Sequence, residues 1–327
     1  MDGLRAAAAL AVVMIHVSAG GATGTLSMLC NQLSRFAVPM FLVLTGFGHA
    51  GALAEGKFER QGLKAVRRRL SRVLIPYFIW SAAYLALDFV LGTPHEHPLR
   101  DLLTGGAYVH LYYIFVLVQF ILLSDLFCAA MHRHPACTMV LSAAVTFAMQ
   151  GLIACAVNGY LTFYSPLPPA RYFLSWVIFY TGGIWLRLHD GWQRCPLRLS
   201  LPLWLLSAAC VLLTAHFFPS LAPSSLRPDL VLYVFTTGLL LWTLCSRTQT
   251  LPAPVRFIAR HSFGLYLVHP MVLRLWNAWT THHPPVIYLR LSQMYLLGLI
   301  GGLAGAAALS LLPFGTLLGG ARRKTRS

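Results

Sequence analysis

Runs of about twenty apolar residues recur along this chain, and they constrain its fold more than any other feature. A helix of twenty residues is about 30 Å long, which matches the hydrocarbon thickness of a bilayer. Only 10% of the 327 residues are charged and 57% are apolar, whereas soluble domains carry about 25% charged residues. The runs lack the alternation typical of transmembrane strands. The sequence therefore predicts an all-α, polytopic membrane helix bundle.

We expect about ten membrane-spanning helices within one integral-membrane domain over residues 1–327. The expected spans are 4–20, 36–54, 73–92, 108–131, 138–157, 173–189, 201–219, 229–246, 257–281 and 293–318. If the amino terminus is cytoplasmic, nineteen of the 25 Lys and Arg residues fall on the cytoplasmic side. Cytoplasmic loops are enriched in Lys and Arg, so both termini are expected inside the cell, with the bundle in the inner (cell) membrane.

The formal net charge of +16 is attributed to this topology rather than to nucleic-acid binding, because the basic residues concentrate in loops on one side. The carboxy-terminal run Arg322–Arg326 is expected to contact anionic membrane lipids. The seven cysteines form no Cys-x-x-Cys pair, so neither a disulfide framework nor a metal site is expected. No segment reads as a cleavable signal peptide, and we expect either a short start at Met1 or a true start slightly upstream.

The first span carries ionisable side chains along one face. Arg5 and His16 are eleven residues apart, close to three helical turns, which separates them by about 16 Å along the axis. Within a membrane such a face turns toward the bundle interior or a cavity. His16 is either a catalytic base that takes a proton from a hydroxyl or a hydrogen-bonded structural residue. Asp2 either pairs with Arg5 or serves as an N-terminal helix charge.

Two further clusters flank the third and fourth spans. Arg69 and Arg72 project from one side where the third span leaves the cytoplasm. Arginines at this place suit the phosphates of a donor such as coenzyme A, or they fix the topology and contact lipid. The segment His110–Tyr113 lies near the outer end of the fourth span. It either lines an acceptor site or belongs to the aromatic belt at the membrane interface.

A polar stripe marks the ninth span. Ser262, Tyr266 and His269 follow at i, i+4 and i+7, and Pro270 is expected to kink the helix. The stripe suits a cavity wall, or it makes hydrogen bonds between helices. In the second span, the pair Thr45–Gly46 is expected to permit close helix packing.

Taken in order along the chain, these segments resemble the membrane-bound acyltransferase 3 family, in its sugar O-acetyltransferase branch. Five segments carry the resemblance: Asp2–Arg5 with His16, Val38–Phe47, Arg69–Arg72 followed by Pro76, His110–Tyr113, and Ser262–Pro270. Thr45 stands where the family more often has serine, and Phe263 stands where it often has tyrosine.

The resemblance implies transfer of an acyl group, most often acetyl, from cytoplasmic acetyl-CoA to a hydroxyl of a surface polysaccharide or a lipid-linked sugar precursor. It implies catalytic roles for His16 and Arg5, with His16 acting as a base or as a transient acyl carrier. No permanently bound cofactor and no metal are implied. The implied substrate-binding residues are Asp2, Arg69, Arg72, His110, Ser262, Tyr266 and His269.

Two alternatives stay open at this point. A multi-pass transporter or flippase of lipid-linked sugars or small metabolites would also need many spans and a polar cavity. Transporters commonly contain internal repeats and intramembrane carboxylates, and this chain has no visible repeat and only nine acidic residues. A non-catalytic partner of an envelope complex is the second alternative, in which His16 and Arg5 would each be dispensable.

Overall fold

The computed structural model describes residues 1–19, 24–51, 62–162, 164–189, 192, 195–282 and 291–321. In these ranges the chain contains helices and no strands, as the apolar runs predict. The helices are α1 (Asp2–Ala19), α2 (Thr25–Ser34), α3 (Ala37–His49), α4 (Gly62–Val90), α5 (Pro98–Thr104), α6 (Tyr112–Leu122), α7 (Ser124–Arg133), α8 (Pro135–Val157), α9 (Val177–Leu188), α10 (Leu197–Phe217), α11 (Pro228–Cys245), α12 (Ala253–His282) and α13 (Leu291–Leu311). The expected lipid contact of Arg322–Arg326 lies outside the described residues.

Seven helical stretches of the described chain are long and apolar enough to cross a membrane. They are Asp2–Ala19, Thr25–His49, Gly62–Val90, Pro135–Val157, Leu197–Phe217, Pro228–Cys245 and Leu291–Leu311. The bent pair α6 and α7 adds an eighth if the two helices form one span, and Phe173–Leu188 is a shorter apolar stretch. A multi-pass helical membrane protein is therefore confirmed, while the count of ten spans and their orientation stay predictions.

Two expected spans are not continuous helices. The span expected over 108–131 is divided at Leu123, where α6 and α7 meet at 57°. The hydroxyl of Ser124 donates to the carbonyl of Ile121 at 2.8 Å, and such a local bond competes with the regular helix ladder. The span expected over 293–318 ends as an α-helix at Leu311. Pro313 follows, and the residue before a proline is disfavoured in helical geometry.

Helix α1 lies at the centre of the bundle, where it packs against α2, α3, α11, α12 and α13. Its buried surface is built largely from small side chains, among them Ala6, Ala8, Ala9 and Ala11. Small residues let neighbouring backbones approach closely in a membrane. The polar residues of α1 are thereby surrounded by several helices at once.

Helices α3 and α9 approach each other closely through their backbones. A Cβ atom added to Gly46 would lie 2.0 Å from the carbonyl oxygen of Tyr180, and one added to Gly183 would lie 2.0 Å from that of Val43. Only glycine at both positions lets the helices come this close. The packing role predicted for the Thr45–Gly46 pair is confirmed, and the Thr45 hydroxyl donates to the carbonyl of Phe41 within its own helix at 2.7 Å.

Candidate active site

Three histidines from distant parts of the chain meet in the interior. His16 lies near the end of α1, His110 lies just before α6, and His269 lies in the middle of α12. The ring centroid of His16 is 6.1 Å from that of His110 and 5.2 Å from that of His269. The rings of His110 and His269 are 6.2 Å apart. The predicted site residues of the first, fourth and ninth spans therefore come together.

His269 has a defined orientation. Its Nδ1 donates to the carbonyl of Leu265 at 2.7 Å, one turn earlier in α12. This bond assigns the tautomer in which Nε2 carries the lone pair, and Nε2 has no hydrogen-bond partner among the described residues. Helix α13 approaches closely here, because a Cβ atom on Gly302 would lie 2.9 Å from the Cβ of His269. His269 is thus a buried, rigidly held imidazole with a free acceptor nitrogen.

His110 is positioned through its backbone. The hydroxyl of Tyr266 donates to the carbonyl of His110, and the ring of Tyr266 lies 4.8 Å from the imidazole. Tyr84 packs against the same imidazole at 5.3 Å. Neither ring nitrogen of His110 has a partner in the part of the chain that the structure describes, although only 2% of the residue is exposed. Buried polar atoms without partners are uncommon, so His110 is a candidate functional residue.

A cavity of about 300 Å³ adjoins this histidine cluster. His16 is the least buried of the three imidazoles, and it reaches the cavity wall together with His110 and Tyr266. The remaining wall is formed by Val12, Ile15, Arg35, Val38, Tyr112, Ala170, Trp176 and Pro223–Leu226. Pockets for small ligands begin at about this volume, so the cavity can take one small polar group or sugar ring.

Arg35 is a cavity residue that the sequence reasoning missed. It follows α2 directly and is only 6% exposed. Its Nη2 donates to Oδ1 of Asn31 at 2.7 Å and its Nη1 to the hydroxyl of Ser225 at 3.4 Å, while Nε has no partner in the described ranges. The signal in the sequence was an arginine directly before an apolar run, on the side expected to hold few basic residues.

Other predicted site residues lie apart from the cluster. Asp2 and Arg5 pair at 2.8 Å, which is one of the two roles considered for Asp2, and both side chains are about half exposed in the first turn of α1. Ser262 is buried on α12, on one stripe with Tyr266 and His269, but it does not line the cavity. The Asp2–Arg5 pair therefore lies at the start of α1, whereas His16 brings the end of the same helix to the histidine cluster.

Arg69 and Arg72 also lie outside the cluster, on the first part of α4. Arg69 is partly buried and Arg72 is exposed. An open groove of about 570 Å³ lies beside them and is strongly basic. It is lined by Lys64, Ala65, Arg67, Arg68 and Ser71. Within the described ranges, no group of three His, Cys, Asp or Glu side chains is arranged to hold a metal ion.

The structure thus places three imidazoles beside a cavity inside a bundle of apolar helices. Imidazole side chains can accept and donate protons near neutral pH. A family model described as an acyltransferase domain matches residues 1–314. The chain therefore belongs to the acyltransferase 3 family, and it is a membrane enzyme that transfers acyl groups. No curated protein and no solved structure matches the chain.

Proposed function

We propose that this chain is a membrane O-acyltransferase of the cell (inner) membrane. It takes an acyl group from cytoplasmic acyl-CoA, with acetyl-CoA as the donor, and transfers it to a hydroxyl of a surface polysaccharide or a lipid-linked sugar precursor. Family membership supports acyl transfer. The observation that carries the assignment of the site is that His16 faces a cavity and contacts two further imidazoles.

His16 is the proposed general base. It accepts the proton of the acceptor hydroxyl while the hydroxyl oxygen attacks the carbonyl carbon of the thioester. The carbon–sulfur bond then breaks, the new ester is complete, and the imidazolium of His16 returns its proton to the coenzyme A thiolate. In the alternative order, His16 itself attacks the thioester and carries the acyl group before the acceptor arrives.

The donor is proposed to reach His16 along α1 from the turn that holds Asp2 and Arg5. The distance along the helix axis is about 16 Å for eleven residues, which an extended pantetheine arm spans. Arg69 and Arg72, with their basic neighbours on α4, suit the phosphates of coenzyme A because arginine forks pair well with phosphate oxygens.

The acceptor is proposed to enter the cavity itself. Tyr112 and Trp176 lie at its wall with near-parallel rings 6.3 Å apart. Aromatic faces with a polar edge suit the mixed apolar and polar faces of a sugar. Tyr266 acts as a positioning residue in this scheme, because it contacts the backbone and ring of His110.

The test is acyl transfer by the purified full-length chain in proteoliposomes, with labelled acetyl-CoA and extracted surface glycans. We expect His16→Ala to lower product formation by about 10²–10⁴-fold, the usual contribution of a general base. His216→Ala removes an exposed histidine at the end of α10 and is the matched control. Undiminished transfer by a folded His16→Ala variant would refute the mechanism. Passage of a lipid-linked sugar without release of coenzyme A would instead indicate a transporter.

A further inference from the structure

Arg35 brings a buried positive charge to the cavity without a negative partner. Its hydrogen-bond partners, the Asn31 amide and the Ser225 hydroxyl, are both neutral. No carboxylate of the described residues lies within 4.0 Å of its guanidinium. A buried charge that is neither paired nor fully hydrogen-bonded is costly to maintain. The charge is therefore expected to meet its partner when a ligand fills the cavity.

The guanidinium is held in place next to the catalytic turn of α1. Asn31, which accepts from Arg35, donates to the hydroxyl of Ser18 at 2.9 Å and to the carbonyl of Ile15 at 3.4 Å. These two residues flank His16 on α1. The amide thus fixes the distance between the charge and the imidazole, and both groups reach the same cavity.

The rest of the cavity wall does not neutralise the guanidinium. Helix α3 begins at Ala37, two residues after Arg35, and its second residue, Val38, lines the cavity with an apolar side chain. The side chains that line the cavity include no Asp or Glu to oppose the positive charge.

We propose that the cavity recognises an acceptor that carries an anionic group, a carboxylate or a phosphate, close to the hydroxyl that is acylated. Arg35 is the counter-ion of that group, and His16 faces the hydroxyl. The identity of the ligand as an acceptor rests on the proposed function, whereas its charge rests on Arg35 and on a cavity lining without Asp or Glu. The cavity volume of about 300 Å³ suits one charged sugar ring.

The test is calorimetric binding to the full chain in lipid nanodiscs, without any acyl donor. Three probes share one sugar ring and are compared at equal ionic strength: methyl glucuronide, glucose 6-phosphate and neutral methyl glucoside. We expect at least one charged probe to bind roughly tenfold or more tightly than the neutral one, because charge-assisted hydrogen bonds are the stronger kind. The two charged probes separate a carboxylate from a phosphate as the natural group.

In the same titration, Arg35→Gln should bind the charged probe no more tightly than the neutral one. Arg35→Lys keeps the positive charge but lacks the two-pronged hydrogen-bonding geometry of the guanidinium, so it should retain part of the preference for the charged probe. Arg100→Gln, which removes an exposed arginine that donates to the carbonyl of Pro166, is the control and should change nothing.

Equal binding of charged and neutral probes by the wild-type chain would overturn the proposal, as would a preference that survives in Arg35→Gln. Loss of coenzyme A binding in Arg35→Gln, with the sugar preference intact, would assign the charge to the donor instead and also overturn it. Because no acyl donor is present, these outcomes are independent of whether His16→Ala abolishes acyl transfer.

Discussion

Two buried arginines, Arg227 and Arg35, contact side chains of helix α2 but differ in how fully they are paired. Arg227 is fully buried, and it donates to both carboxylate oxygens of Asp229 at 3.1 and 2.6 Å, to Gln32 at 2.8 Å and to the carbonyl of Val211 at 3.1 Å. Arg35 has only neutral partners and one unpaired nitrogen among the described residues. The first arginine is satisfied by the fold, and the second is satisfied only if something enters the cavity.

The hydrogen-bond networks of Arg227 and Arg35 share one atom. The amide of Gln32 donates to Oδ1 of Asn31 at 3.3 Å, the same oxygen that accepts from Arg35. A paired arginine and an unpaired one are thus joined through two neighbouring residues of α2. The difference lies in the carboxylate of Asp229, which completes one network and is absent from the other.

The largest expected effect is on the stability of the paired network. Arg227→Met leaves the largely buried carboxylate of Asp229 without its arginine partner, which costs up to about 3–5 kcal/mol. We expect a large loss of thermal stability, measured by unfolding of the detergent-solubilised chain. The double variant Arg227→Met with Asp229→Leu removes both charges and should recover most of the loss. If the single variant is as stable as the wild type, the contrast between the arginines fails.

Arg35→Gln should lower activity rather than stability. No carboxylate in the described part of the chain loses a partner, so we expect the unfolding temperature to stay the same or to rise. Acyl transfer to the natural acceptor should fall about ten- to a hundredfold, because a charge-assisted contact is worth about 1.5–3 kcal/mol. Measuring both quantities on one preparation separates the two arginines. A drop in stability comparable with that of Arg227→Met would make Arg35 a structural residue too.

Local features of this contrast could be predicted from sequence, and long-range features could not. The Asp2–Arg5 pair and the close approach at Gly46 depend on residues three apart or on the absence of a side chain. The pairing of Arg227 with Gln32 joins residues 195 positions apart. Which buried arginine finds a carboxylate is decided by packing between distant helices, and one sequence does not contain that information.

The histidine cluster shows the same division. The helical spacing of Ser262, Tyr266 and His269 predicts their shared stripe, and the structure buries all three. The contact of His110 with the other imidazoles depends on the position of the segment before α6, which packs against α1 and α12. This packing leaves no periodic signal in the sequence. The family resemblance therefore identifies His110 as a candidate residue but cannot place it beside His16.

A smaller effect is expected from the contact that holds His269. In Gly302→Ala the new methyl group would lie 2.6 Å from Leu265 and 2.9 Å from His269, which must shift. We expect about a tenfold loss of acyl transfer with a modest loss of stability of about 1–3 kcal/mol, typical of overpacking. Gly305→Ala, which presses on Val268 at 2.7 Å, is the control and should lower stability without the same loss of transfer. Equal losses of transfer in both variants would mean that His269 needs no fine placement.

The smallest effect concerns a third ionic network, which is paired like that of Arg227 but lies near the surface. Its cations His95 and Arg274 are partly exposed, while Asp88 is buried. His95 contacts Asp101 at 2.7 Å and Asp88 at 3.4 Å, and Arg274 also binds Asp88. The hydrogen bond to Asp101 raises the pKa of His95 above its usual value of 6.5, and Asp88 adds to the rise.

A raised pKa in the folded state fixes the sign of the pH dependence. The stabilisation from protonated His95 is complete below about pH 6.5 and fades as the pH rises through the raised pKa. We expect His95→Gln to remove a pH-dependent contribution of less than about 1 kcal/mol, the range of ion pairs exposed to solvent. Thermal unfolding of both chains across pH 5.5 to about 8.5 measures it. A larger loss in the variant at high pH than at low pH would contradict the assignment, because the raised pKa of His95 requires its contribution to weaken as the imidazole loses its proton.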